Sequence, residues 1–292
     1  MLFVIFLNNL LLTAMEKKEN IAAQFVTATL YLKSREYITP HYIRIRLTGD
    51  DVYKFSTVTV GVNNKIYIPP AGLNEVHYPN WDFEAEKWNM PPVEVRPAIR
   101  TYTHRGIDLE KNEMIIDFVA HGDNGPASAW AMHAEPGAAL GVTMRAKETE
   151  LYPKADWYLL VGDATAIPVL GAILEDLPED AEGIAYIEVE SEADEQELKT
   201  KSKVQLNWVH NPLAGEGTFL SDAVRQVDLP EAMEIRKFAY VAAEFKTVKS
   251  VRQFLRNEAF WTREEFYAYS YWKFGTSEDG SEVDRRAEHQ EK

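Results

Sequence analysis

Residues 157–177 read WYLLVGDATAIPVLGAILEDL. The opening WYLLV is a continuous apolar run, as in a strand buried on both faces of a parallel sheet. From Ile167 the apolar residues take helical spacing, and the pattern stops ahead of Pro178. The same rhythm recurs downstream. Residues 183–189 (GIAYIEV), 204–209 and 238–242 predict further buried strands, and 266–270 (FYAYS) a last one. Residues 217–227 and 247–257 predict helices between them. Strand and helix in alternation predict a doubly wound parallel sheet with right-handed crossovers.

Upstream the rhythm is different. Residues 24–33 (QFVTATLYLK) and 41–47 (HYIRIRL) are strand-like, with a turn expected over 36–40. Residues 65–68 (KIYI) stop at Pro69-Pro70-Ala71-Gly72, and 101–103, 114–119 and 139–145 are further strand candidates. One short helix is expected, starting near Pro126 or Ala127. Many short strands with Pro and Gly turns predict a small antiparallel barrel. The charged stretch 148–155 divides the chain into a barrel domain over 21–150 and an α/β domain over 151–275. Residues 276–292 are polar and charge-dense, the composition of a disordered tail.

Composition narrows the function. The 292 residues contain no cysteine, which excludes disulfides, thiolate zinc sites, iron–sulfur clusters and a cysteine nucleophile within the chain. Electron transfer would need an acquired cofactor. The net charge of −15 disfavours nucleic acid as a partner but leaves room for a local basic pocket. The seven histidines form no close-spaced cluster, so no protein-held metal is expected. Residues 1–12 (MLFVIFLNNLLL) are too short to span a bilayer and lack a basic start. The expectation is a mis-assigned start, with Met15 as initiator and 1–20 an extension of a cytoplasmic protein; a weak signal or anchor is the alternative.

Two segments carry chemistry. Arg100-Thr101-Tyr102-Thr103-His104-Arg105 follows Pro97, and alternation puts Arg100 and Tyr102 on one face. The Tyr102 ring suits stacking on a flavin, Arg100 suits a phosphate, and Thr103 offers a hydroxyl and an N–H to the flavin edge. Taken alone, the segment reads more readily as an amphipathic strand with an exposed Arg. The second segment follows strand 114–119: His121-Gly122-Asp123-Asn124-Gly125-Pro126-Ala127-Ser128-Ala129-Trp130-Ala131. Its turn into a helix, with Pro in the first turn and Ser128 close by, suits a pyrophosphate. Trp130 could cover part of a nucleotide or pack into the barrel. Gly162-Asp163-Ala164-Thr165-Ala166-Ile167-Pro168 is not a G-x-G-x-x-G fingerprint, but it lies where parallel sheets bind ligands.

In this order the motifs resemble the siderophore-interacting proteins, FAD-dependent ferric-siderophore reductases of the ferredoxin-reductase superfamily. RTYTHR resembles that family's R-x-Y-T-x-R signature, and residues 117–131 (DFVAHGDNGPASAWA) its second FAD segment. Residues 162–168 resemble the start of its C-terminal domain. Ala242-Ala243-Glu244 with the following helix resembles its last βα unit, with Ala243 where the family often has Gly. Tyr271-Trp272-Lys273-Phe274-Gly275 resembles its closing motif, with Lys273 in the Arg place. The resemblance implies a Greek-key FAD-binding barrel and an NAD(P)-binding-like domain. It implies FAD contacts from Arg100, Thr101, Tyr102, Thr103, Arg105, Asp117, Val119, His121, Gly125, Pro126, Ala127, Ser128 and Trp130. It extends the cofactor and donor site to Asp163, Ala164, Thr165, Ala166, Glu244, Tyr271 and Trp272. The donor it implies is NAD(P)H or a ferredoxin, and the acceptor a ferric siderophore; separately, the protein is expected to be a monomer. Anionic ferric complexes call for cations: Lys65 and Arg145 from the barrel, and Lys246, Lys249 and Arg252 as one helical stripe. Another electron acceptor, or flavin or chelate binding without turnover, remains open.

Overall fold

The computed structural model describes residues 24–276 and Gly280, apart from Phe83, Asn124, Glu231 and Met233. The expectations for 1–20 and for most of the tail therefore lie outside the described residues.

The first half forms one seven-stranded sheet in the order β6-β3-β9-β1-β2-β8-β7. Its strands are β1 (Phe25–Thr39), β2 (Tyr42–Thr48), β3 (Asn63–Ile68), β6 (Ala98–Thr103), β7 (Gly106–Asp108), β8 (Glu113–Val119) and β9 (Ala139–Arg145). β6 and β7 stand at opposite ends of this order, yet only His104 and Arg105 separate them. Two residues span about 7–10 Å, so the sheet must curl until the end of β6 comes near the start of β7, although the two strands do not pair. The Arg105 N–H donates to Ile115 O at 3.0 Å at the closure. In β2 the alternation is strict. Ile43, Ile45 and Leu47 are fully buried in the barrel core, each stabilising by about 1.5–3 kcal/mol, while Arg44 and Arg46 point outward.

β1 differs from expectation. The strand runs unbroken to Thr39, through the expected turn at 36–39, and register shifts between Leu32/Ser34 and Tyr37/Thr39 mark its irregularities. Such bulges let one long strand bend, so that β1 serves both β2 and β9. The expected short helix is α1 (Pro126–His133). A small hairpin not foreseen from sequence, β4 (Asn80–Asp82) and β5 (Lys87–Asn89), lies between β3 and β6.

The second half is a five-stranded parallel sheet in the order β12-β11-β10-β13-β14. Its strands are β10 (Trp157–Asp163), β11 (Glu182–Val189), β12 (Lys203–His210), β13 (Lys237–Glu244) and β14 (Phe266–Trp272). Helices α2 (Ile167–Asp176), α3 (Phe219–Arg225) and α4 (Phe245–Asn257) cover it. The chain winds one way from β10 to β12 and the other from β13 to β14, which makes β10/β13 the switch point. Gly162 is required there for packing. A Cβ would come within 2.6 Å of Ala166 Cβ and 3.1 Å of Ala242 O.

The two sheets pack through apolar and polar contacts. Tyr42 is buried in the core of the second half, with Ile38 and Val119 against it. Asp194, 4 % exposed, accepts from the Thr39 hydroxyl at 3.2 Å and from the His41 N–H at 3.1 Å. Among the described residues no helix is long and apolar enough to cross a membrane.

Candidate functional site

β6 is an edge strand. It is favoured locally by its β-branched and aromatic residues and begins just after Pro97. It pairs with β3 alone, Tyr102 opposite Asn64 and Arg100 opposite Ile66. His104 exchanges backbone bonds with Val62 O (2.8 Å) and Gly61 N (2.7 Å). Strand alternation then turns the backbone groups of Thr101 and Thr103 away from β3, toward the open edge. The Tyr102 ring lies 4.3 Å from that of Phe118, and Phe118 lies 6.1 Å from Trp130, which makes an aromatic wall packed on the barrel core. The Arg100 Nη1–H donates to Ile99 O at 2.7 Å. α1 begins next to this wall. Its N-cap, Gly125, has no side chain to cap it, and no other side-chain cap on its first turn is seen among the described residues, so these amides suit an anion. The His121 ring lies against Gly125, where a Cβ would meet it at 2.8 Å.

Several residues assigned to FAD by resemblance do other work here. Asp117 has a fully buried side chain gripped by Arg44 through two bonds of 2.8 Å, with the Tyr42 hydroxyl donating at 3.2 Å. Burial, then the Asp117 charge, pushes the Tyr42 hydroxyl well above its ordinary pKa. Arg105 approaches Asp117 at 3.8 Å and pairs with Glu175 of α2 at 2.6 Å, so it ties the two sheets together. Val119 packs into the second core, and Ala166 is wholly buried. Ser128 is buried too, and its hydroxyl accepts from the His121 N–H at 3.1 Å, clamping the loop into α1. For the strand residues Asp117 and Val119 the cause is shared: alternation fixes a face, and the second sheet covers part of that face.

The carboxyl edge of the parallel sheet comes up against β6. The Tyr271 hydroxyl hydrogen-bonds to Thr103 and to Tyr240, and burial pushes it up to about 12. The Trp272 Nε1–H donates to Asp163 Oδ2 at 2.7 Å, and Thr165 donates to Asp163 Oδ1 through N (2.9 Å) and Oγ1 (2.5 Å). Burial raises the Asp163 pKa against these bonds. Glu244 is 3 % exposed and caps α4, accepting from the Lys246 N–H at 2.5 Å. Glu188 stands opposite Asp163 in register, and burial pushes it from 4.5 up to about 7.

A raised carboxyl pKa means that the folded chain keeps the Glu188 proton after the unfolded chain has lost it. Stability therefore falls as pH rises from 4.5 to about 7. Glu188→Gln removes this loss. The urea midpoint of the variant should gain on the parent between about pH 5 and about pH 8, and a constant difference would refute burial as the cause.

The basic residues separate. Lys65 and Arg145 lie on the barrel exterior, where Lys65 donates to Thr101 Oγ1 at 2.6 Å and Arg145 sits over Phe25 at 5.9 Å. Lys246 and Lys249 are exposed on α4. Arg252 is 9 % exposed and donates to Ala268 O at 3.0 Å, so it is a structural residue and leaves the stripe. Six residues turn a helix through about 240°, which puts Arg252 on a different side from Lys246. Among the described residues no His, Asp or Glu cluster could hold a metal.

The residues fit a flavin dinucleotide. Beside the open edge and the uncapped α1, the Asn64 amide and both His104 ring nitrogens are buried without a protein hydrogen-bond partner among the described residues. Asn64 faces Tyr102, and burial holds His104 neutral, with its pKa down at about 4. Hydrogen-bonding capacity left unmet beside an aromatic wall is what a polar, planar ligand can use. Sequence reasoning missed both residues. The signal for Asn64 was a polar residue in phase with Ile66 and Ile68 on an inward face.

Residues 31–146 match the model of the siderophore-interacting FAD-binding domain, and residues 155–275 match that of the siderophore-interacting protein. The chain is 30 % identical over 251 residues to the ferric vibriobactin reductase ViuB of Vibrio cholerae, covering 86 % of this chain and 91 % of that protein. Among solved structures it is similar to a siderophore utilization protein from T. fusca, at 30 % identity and a TM-score of 0.75, over 87 % of this chain and 95 % of that one. It is likewise similar to the siderophore-interacting protein SipS from Aeromonas hydrophila, at 28 % identity and 0.75, over 90 % and 98 %. With both halves matched in order on one barrel and one parallel sheet, the chain belongs to the siderophore-interacting protein family.

Proposed function

We propose that this protein is an FAD-dependent reductase of ferric siderophore complexes. The observation that carries the proposal is the open edge of β6, where Arg100, Tyr102 and Thr103 lie beside the uncapped start of α1. Bound there, FAD would supply two-electron uptake and one-electron delivery. Arg100 and the first amides of α1 would hold its pyrophosphate, and Tyr102 and the outward N–H of Thr103 would hold the flavin. Tyr271 orients Thr103 from the second sheet. Ferric iron is a hard cation held by oxygen donors, and the ferrous ion is held less tightly, so reduction releases it without protein ligands. The reading is of a monomeric cytoplasmic protein with NAD(P)H or a ferredoxin as reductant.

The test is spectroscopic. The purified protein should show flavin absorbance, bleach with dithionite under anaerobic conditions, and recover on addition of a ferric catecholate with trapped Fe(II) as product. Bleaching that no ferric chelate reverses refutes the proposal. The cations are tested separately. Lys246→Ala with Lys249→Ala should raise KM for an anionic ferric complex several-fold, about 1 kcal/mol, with flavin content unchanged. An equal change for a neutral complex would assign the lysines to the surface alone.

A further inference from the structure

Three carboxylates line the carboxyl edge of the parallel sheet, and each occupies a helix start. Asp163 ends β10 and accepts from the Thr165 N–H in the turn that opens α2. Glu244 ends β13 and accepts from the Lys246 and Thr247 N–H groups at the start of α4. Glu188, in β11 opposite Asp163, accepts from the Leu220 N–H in the first turn of α3 and from Asn211 Nδ2 at 3.2 Å. In doubly wound folds the pyrophosphate of a dinucleotide takes these amides at the switch point. Here they are already spent on the chain's own carboxyl groups.

The closure is reinforced from the C-terminal side. Asp163 also accepts from Trp272 Nε1 and from the Glu244 N–H, and Glu244 Oε1 accepts from the Phe274 N–H at 3.2 Å. Residues 272–274 thus bind across the β10/β13 crevice. No glycine opens the turn to a phosphate, because Gly162 is filled in by Ala166, Leu170 and Ala242. A pyrophosphate brought to this edge would lose the helix-start amides and meet carboxyl groups in their place.

We infer that the carboxyl edge of the sheet is closed to a dinucleotide's pyrophosphate by Asp163, Glu188 and Glu244, so that a nicotinamide reductant is recognised by its dihydronicotinamide ring and its adenylate half adds nothing. The inference rests on the reductase reading for the presence of flavin, and on the carboxylates alone for the closure.

Two measurements on the unaltered holoprotein test it. Isothermal titration with ADP-ribose should give no binding at millimolar concentration, and micromolar binding overturns the inference whatever the reductase activity. Anaerobic stopped-flow bleaching then compares NADH with 1-benzyl-1,4-dihydronicotinamide, which has no phosphate, each normalised to its rate with free riboflavin. The normalised rate constants should agree within about threefold. An advantage for NADH of about a hundredfold, or no bleaching by the short compound, overturns it. Glu188→Gln with Glu244→Gln should raise the NADH rate selectively by about tenfold, and an unchanged ratio removes the carboxylates as the cause. If that variant does not fold, the ADP-ribose titration still decides. A preparation without flavin absorbance would fail the reductase reading and leave the titration valid.

Discussion

Arg100→Ala should purify with little flavin. The guanidinium lies on β6, where its Nη1–H donates to the adjacent Ile99 carbonyl at 2.7 Å. A charge-assisted bond to a phosphate contributes about 1.5–3 kcal/mol, so the FAD dissociation constant should rise roughly tenfold to 150-fold. Fluorescence titration of the apoprotein with FAD and with riboflavin checks this. The loss should be confined to FAD, because riboflavin carries no phosphate. An equal loss for both would place Arg100 at the ring system, and full FAD retention would remove it from the site.

Asp117→Ala has the opposite signature. Its buried carboxylate neutralises Arg44, bonds to Tyr42 and lies 3.8 Å from Arg105. Removing one partner of a buried pair leaves charge uncompensated and costs about 3–5 kcal/mol. For a chain of this size the melting temperature should fall by roughly 10 °C. The surviving folded fraction should bind FAD within about threefold of the parent, since Asp117 faces the second sheet. Asp117→Leu combined with Arg44→Leu should recover part of the stability, because the pair is then replaced by apolar volume. If Asp117→Ala leaves the melting point unchanged but loses FAD, the residue belongs to the cofactor site.

These two predictions divide a signature that looks uniform in sequence. Arg100, Arg105 and Asp117 were all read as flavin residues, because the motif resemblance covers all three. The structure separates them by face. Arg100 lies in phase with Tyr102 at the free edge, whereas Arg105 has passed the closure of the barrel and meets Glu175. In the same way Lys246, Lys249 and Arg252 looked like one stripe. Helical geometry and a bond to Ala268 O remove Arg252 from it.

What the sequence determined by itself was what local pattern can encode. Apolar runs such as WYLLV and the helical spacing after Ile167 specify strand and helix without reference to distant residues. Their alternation specifies the parallel sheet, and the Pro126 signal specifies the start of α1. Hydrophobic periodicity is a short-range property, so these elements were legible. The tertiary structure alone decided which polar side chains meet. Trp272 finds Asp163 across 109 residues, and His41 finds Asp194 across 153. Barrel closure, the burial of Asn64 and His104, and the filling of three helix starts by Asp163, Glu188 and Glu244 all depend on such encounters. A carboxylate carries no mark in the sequence of whether it will face water, an arginine or a row of free amides. Only the packing of one sheet's edge against another settles that.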